Sequence, residues 1–246
     1  MATWQVKFFP YNIFELGTIT ATAEDSGFPA ARLGDLDASL FWKCSVVSTA
    51  VDLVVQQPSN RILDVDFYQI PKHNFLGLSC TFAYSSDGSN WTTLAAFSPG
   101  DYDPIVGQFG TVYNKKYWRF RVVTGLHQAR ATEIWISKAY AFNALREQNP
   151  IGHSIPNVQW NRTVGGLVRP TKRGTSKRVR TYTFWMDATE FASFLEVVDH
   201  LDDYSKPFYF QDHRGDYFLS RFDDGSPEFD FNHNTHTRVT ARILEI

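Results

Sequence analysis

Leu78-Ser79-Cys80-Thr81-Phe82-Ala83-Tyr84 runs directly into Ser85-Ser86-Asp87-Gly88-Ser89-Asn90. The first run alternates apolar and small polar side chains, the period of a strand with one face buried. The second is built from Ser, Asp, Gly and Asn, which bond their own backbone or tolerate the dihedrals of a tight turn. Strand followed by turn is the unit that repeats outward from here. Val51-Asp52-Leu53-Val54-Val55, Ile62 to Ile70, Tyr117 to Val123 and Thr132 to Ile136 read as further strands. Ser98-Pro99-Gly100-Asp101 and Val123-Thr124-Gly125 read as turns between them. Helical periodicity is scarce in this half, so the pattern predicts an all-β sandwich or jelly roll.

The chain has 246 residues, enough for two domains of ordinary size. Hydrophobic residues make up 43% and charged residues 20%, so a core can form. Aromatic residues reach 16%, and sandwich interiors account for most of them. A net charge of −2 gives no general pull toward nucleic acid or anionic membrane. Cys44 and Cys80 lie in apolar, strand-like surroundings and read as buried thiols, with a single bridge left open. The N-terminus lacks a signal peptide's long apolar core, and no run is long enough to span a membrane. A soluble protein made in a reducing cytoplasm is expected.

Residues 146–178 differ in character. Asn149-Pro150-Ile151-Gly152 breaks regular structure, and Arg162, Arg169, Lys172, Arg173, Lys177, Arg178 and Arg180 follow with no acidic residue between Glu147 and Asp187. This reads as a basic linker, loop or arm. Beyond it, Val179 to Trp185 alternates as a strand. Asp187-Ala188-Thr189-Glu190 carries a capping-box signature, and Phe191, Phe194, Leu195, Val198 and Leu201 form one helical stripe. Pro207-Phe208-Tyr209-Phe210, a turn at residues 212–216, and Tyr217-Phe218-Leu219 read as a hairpin, and Arg238 to Glu245 as a last strand. The predicted organisation is a jelly roll over residues 1–145, a basic linker over 146–178 and a smaller α+β module over 179–246.

Four segments resemble the factor 5/8 type C, or discoidin, group of galactose-binding-like domains. They are Ala31 to Ala38 with Phe41-Trp42-Lys43-Cys44-Ser45, the Tyr84-Ser85-Ser86-Asp87-Gly88-Ser89-Asn90-Trp91 hairpin, Tyr117-Trp118-Arg119-Phe120-Arg121-Val122, and Thr132-Glu133-Ile134-Trp135. Their order and spacing agree with that group over residues 15–140. The chain departs from it in lacking the Gly beside Asp35-Leu36-Asp37 and the flanking disulfide. Lys72-His73-Asn74-Phe75-Leu76-Gly77 is similar to a loop of discoidin-like domains in bacteriophage tail proteins. Thr183-Phe184-Trp185, the helix, Lys206 to Asp212 and Ala241 to Glu245 look like the C-terminal module of phage minor and distal tail proteins.

The resemblance implies a structural component of a phage tail or tail-like particle in the virion, with other tail or baseplate proteins as partners, a homo-oligomeric ring, and cell-surface glycans as a further contact. The alternative is a carbohydrate-binding module acting as an adhesin. Under either reading the residues at stake are loop groups. His73, Asn74, Tyr102 and Phe109, the latter two in a long loop over residues 98–114, are the candidate ligand contacts. A sugar needs ring faces for its C–H surface and hydrogen-bonding groups for its hydroxyls. Arg169, Lys172, Arg173, Lys177 and Arg178 are candidate assembly contacts, because complementary charge sets register between subunits. Trp42 and Trp91 are expected in the core.

Other chemistry is not supported. His200, His213, His233 and His236 lack the further ligands that a zinc site needs. Asp223-Asp224 precedes Gly225-Ser226-Pro227 and reads as a turn rather than an acid/base pair. Glu24-Asp25-Ser26-Gly27 offers too few oxygens for calcium. No nucleophile elbow, phosphate loop or dinucleotide fingerprint is present, so no enzymatic activity, cofactor or metal is expected. The charge is spread evenly between the halves, which speaks against nucleic-acid binding.

Overall fold

The computed structural model describes residues 3–37, 39–145, 153–155, 158–162, 168–172, 177–202, 204–223, 226–231 and 235–246, with backbone alone for 153–155, 158–162 and 168–172. The chain forms two compact units, Tyr11–Ala139 and a second made of Met1–Pro10 with Tyr140–Ile246. Among the described residues no helix is long and apolar enough to cross a membrane.

The Tyr11–Ala139 unit is a β-sandwich. One sheet has five strands in the order Thr18–Ala21, Ala50–Gln56, Tyr117–Val123, Ser79–Ser85, Thr92–Phe97. The other has three, Trp135–Ser137, Asp64–Ile70 and Ile105–Asn114. All pairings are antiparallel. Strict alternation sets the inner face: Val51, Leu53 and Val55 are buried, as are Trp118, Phe120 and Val122. The turn after Ser85 forms as its residues dictate. Asp87 accepts from the Ser89 and Asn90 N–H groups at 2.8 Å each, and Gly88 takes a positive φ of 78°. Those bonds hold the Asp87 carboxyl far below the usual carboxylate range. Cys44 and Cys80 are buried free thiols, and burial pushes the Cys80 thiol up to about 12.

The second unit is a closed barrel. Thr3–Phe9 pairs with Tyr140–Leu145 on one side and Phe208–Gln211 on the other. Tyr217–Phe222, Thr237–Glu245 and Lys177–Met186 continue the sheet. The pair Ala144–Phe184 returns it to Tyr140–Leu145, so six antiparallel strands form a ring without a free edge. The interior is filled by phenylalanines. Phe8 lies 5.0 to 6.4 Å, ring centre to ring centre, from Phe142, Phe184, Phe194, Phe208, Phe210 and Phe222. Phe194 comes from the Ala188–His200 helix, which starts at the expected capping box on Asp187. The buried face of that helix is Phe194, Val197, Val198 and Leu201. Leu195, placed on the stripe by sequence, is 40% exposed. A stripe through Val197 satisfies the same 3.6-residue period, and only packing chooses between them.

Two boundaries differ from the sequence reading. Residues 1–10 and 140–145 belong to the barrel, not to the jelly roll. The sandwich is therefore inserted between two neighbouring antiparallel strands, with Phe8 opposite Tyr140 where the chain leaves and returns. Within the presumed basic linker, Val158–Arg162 pairs with Val168–Lys172, and His153–Ile155 pairs with Lys177–Val179. Val158-Gln159-Trp160 alternates in sequence, with Gly165-Gly166 before Val168, so a hairpin pattern outweighs the charge run.

Candidate functional site

At one end of the sandwich three short segments lie side by side. Arg130 pairs with Lys43, Ala131 with Trp42, and His73 bridges to Ala131. Residues directly opposite in an antiparallel ladder share a face. Trp42, Ala131 and His73 point inward, at 0%, 1% and 9% exposure. Arg130 and Lys43 occupy the outer face, and Lys72 and Asn74 flank the inward His73.

This geometry decides what His73 does. The Phe75 N–H donates to Nδ1 at 3.1 Å, so Nε2 carries the proton and donates to the Asp103 carbonyl at 2.9 Å. Burial holds the imidazole below its ordinary range, against the opposing pull of the Asp103 carbonyl and Asp101. Both ring nitrogens are occupied, so His73 braces loops and its ring only walls the site. Asn74 is a second brace. Its Nδ2 donates to Gln128 O at 2.9 Å, its Oδ1 accepts from the Arg130 N–H at 2.8 Å, and its carbonyl meets His127 Nε2 at 3.0 Å. Asn74→Ala is expected to lose about 1–3 kcal/mol of stability, with faster amide exchange at Arg130. A urea melt within about 0.5 kcal/mol of the parent would contradict this role.

The braces present Tyr102. Its loop is pinned at Pro99, whose carbonyl accepts from the Gly77 N–H at 2.8 Å, and at Asp103 by His73. Between these points Tyr102 stands 61% exposed. It borders a hollow of about 420 Å³ with His73, Asn74, His127 and Arg130. A second hollow of about 210 Å³ adjoins it through His73 and Arg130 and is lined by Phe41, Lys72, Ala131 and Thr132. An exposed ring, a guanidinium and an imidazole thus converge on one concave surface, the usual make-up of a site for a small polar ligand. His127 and Arg130 were not singled out by sequence. Their spacing in Leu126-His127-Gln128-Ala129-Arg130 carries no motif, and only the pairing to Asn74 brings them to Tyr102.

The remaining sequence candidates fall elsewhere. Phe109 is not in a loop. It lies on the Ile105–Asn114 strand with its ring 4.9 Å from Tyr68 and 5.8 Å from Trp118, so it packs with the core rings. Trp42 is buried as expected, but Trp91 is half-buried and lies under Arg119, whose guanidinium is 4.5 Å from the ring centre. Glu24 caps the Ala30 N–H at 2.6 Å, and Asp25 pairs with Lys43 at 3.0 Å.

In the barrel, His213 stacks on Trp4 at 4.4 Å and bonds the Tyr182 hydroxyl at 3.0 Å, and Asp223 pairs with Arg242 at 3.0 Å. Arg178 pairs with Asp216 at 2.9 Å and Glu245 at 3.7 Å within its own unit. Lys177 is exposed at the start of the same strand. Arg169 and Lys172 lie on the hairpin strand Val168–Lys172, while Arg173, Asp224 and His233 lie outside the described residues. Among the described residues no group of three or more His, Cys, Asp or Glu is placed to hold a metal ion.

No family model matches the chain, and no curated protein matches it. Solved structures do. Chitosan-binding module 1 from the chitosanase/glucanase of Paenibacillus sp. IK-5 is 21% identical, with a TM-score of 0.46, over 52% of this chain and 99% of that one. The family 32 carbohydrate-binding module of NanJ from C. perfringens, in complex with galactose, is 15% identical, with a TM-score of 0.45, over 54% of this chain and 99% of that one. A pectin-binding module is 22% identical, with a TM-score of 0.41, over 49% of this chain and 89% of that one. The strand order and pairing described above make the Tyr11–Ala139 unit an antiparallel β-sandwich in a mainly β chain.

Proposed function

We propose that the Tyr11–Ala139 sandwich is a carbohydrate-binding module that holds a saccharide at its loop end and performs no chemistry on it. The observation that carries this is the exposed Tyr102 ring, fixed by two loop anchors beside Arg130, His127 and Asn74 around one hollow. A ring face supports the C–H side of a sugar, and the flanking polar groups supply donors and acceptors for its hydroxyls. The anchoring matters as much as the groups, since a preformed site loses less entropy when it binds. The solved carbohydrate-binding modules of similar fold agree with this reading without establishing it. The tail-assembly reading draws no support from the placement of its basic contacts, and Arg178 is engaged internally.

A glycan array followed by NMR titration of the best saccharide tests the proposal. Shifts should cluster at Tyr102, Asn74, His127 and Arg130. Tyr102→Ala should weaken binding about tenfold, the loss of one stacked ring contact. A protein that binds no saccharide on the array, or whose shifts lie away from this end, is not the module proposed.

A further inference from the structure

We propose that the saccharide is anionic, bearing carboxylate or sulfate groups that Arg130 and Lys72 receive; this rests on the carbohydrate-binding reading above. Arg130 stands directly opposite Lys43 in the ladder, and like charges so placed oppose each other. Lys43 is compensated by Asp25 at 3.0 Å. Arg130 and Lys72 form no ion pair with any described residue; the one contact of the Arg130 cation is the face of Phe41, 6.0 Å from the ring centre. That ring stacks at 4.6 Å on Phe28, over which the Arg32 and Lys43 cations also lie, at 5.4 and 5.1 Å. Among the described residues, neither hollow is lined by an Asp or Glu side chain. The acidic loop residues Asp101 and Asp103 flank Tyr102 in the chain but line neither hollow, and Asp101 Oδ1 accepts from the Asp103 N–H at 3.1 Å.

The outer face of the five-stranded sheet shows the contrast. There Arg119 and Arg121 share Asp52, at 3.7 and 2.5 Å. Where the sandwich uses arginine to hold itself together it supplies a carboxylate. At the loop end it gathers cations around a stacked aromatic pair, and among the described residues only Lys43 there has a carboxylate within ion-pair distance. A bound anion would complete that arrangement, with the planar guanidinium taking two oxygens and the ammonium a third.

The experiment is calorimetric titration of the full chain with two matched pairs: tetragalacturonic acid and its methyl ester, and a kappa-carrageenan tetrasaccharide, whose only charged groups are sulfates, and its neutral desulfated form. Each is measured at about 0.05 M and about 0.5 M NaCl, which shortens the screening length several-fold. The acidic member of at least one pair should bind about tenfold tighter than its neutral partner at low salt, with the gap closing at high salt. Preference confined to one pair identifies carboxylate or sulfate as the group received. The double variant K72Q/R130Q should erase the preference for the acidic partner while leaving the melting temperature unchanged, because both side chains are exposed. Equal binding within both pairs, or array hits that are all neutral, overturns the anionic inference and leaves the carbohydrate reading standing. Binding of no saccharide at all overturns both.

Discussion

Phe8→Ala lowers the stability of the barrel by about 3–5 kcal/mol, the range for emptying a fully buried aromatic site. Phe8 is 0% exposed and touches rings from four other strands and from the helix. Its removal leaves a cavity that a closed sheet has little freedom to collapse into. Phe8→Leu, which keeps most of the apolar volume, loses distinctly less. Urea denaturation followed by circular dichroism and by amide exchange at Phe142, Phe184 and Phe210 measures both variants. A change below about 1 kcal/mol for the alanine variant would mean that the ring cluster is not the barrel's core.

Glu133→Gln stabilises the sandwich at alkaline pH. Glu133 is 5% exposed, and its Oε1 has no hydrogen-bond partner. Burial, then the negative charges of Asp35 and Glu15, push its carboxyl up to about 8. The unfolded chain titrates this group near 4.5. Between these values the folded protein holds a proton that the unfolded chain has released. Stability therefore falls as pH rises through that window, and the full cost is present above about 8. The displacement corresponds to on the order of 5 kcal/mol, which glutamine, neutral at every pH, does not incur. Thermal melts of parent and variant should be close at pH about 5 and diverge in the variant's favour by pH about 9. Parallel profiles across that range would show that Glu133 ionises freely in the folded state.

Much of the local architecture was legible in the amino acids. Tyr117–Val123 forms with the bounds its alternation predicts, and the Asp187 capping box and the Phe208–Gln211 hairpin sit where their residues place them. At the candidate site the reading was partial. Tyr102 and Asn74 were visible as loop residues with suitable chemistry. The split between a presenting ring and a bracing amide was not, because it depends on which backbone atoms of residues 128 and 130 lie within reach of Asn74. Phe109 was misplaced because Gly107 and Gly110 interrupt its strand pattern. The tertiary reason for Gly107 is the Tyr68 ring, which lies where a Cβ would stand.

The amino-acid sequence by itself determined the elements that depend on near neighbours: alternation, caps and turns, and through them the β-sandwich class of the first half. Only the tertiary structure decided that Thr3–Phe9 leaves the sandwich to close a barrel with strands some 130 to 200 residues away. It alone also decided that Arg130 faces Lys43 unpaired beside Tyr102's hollow. A strand's own residues state which face is buried. They do not state which edge it joins, because backbone hydrogen bonds are the same for every partner, and the choice is made by how side chains fill the shared interior.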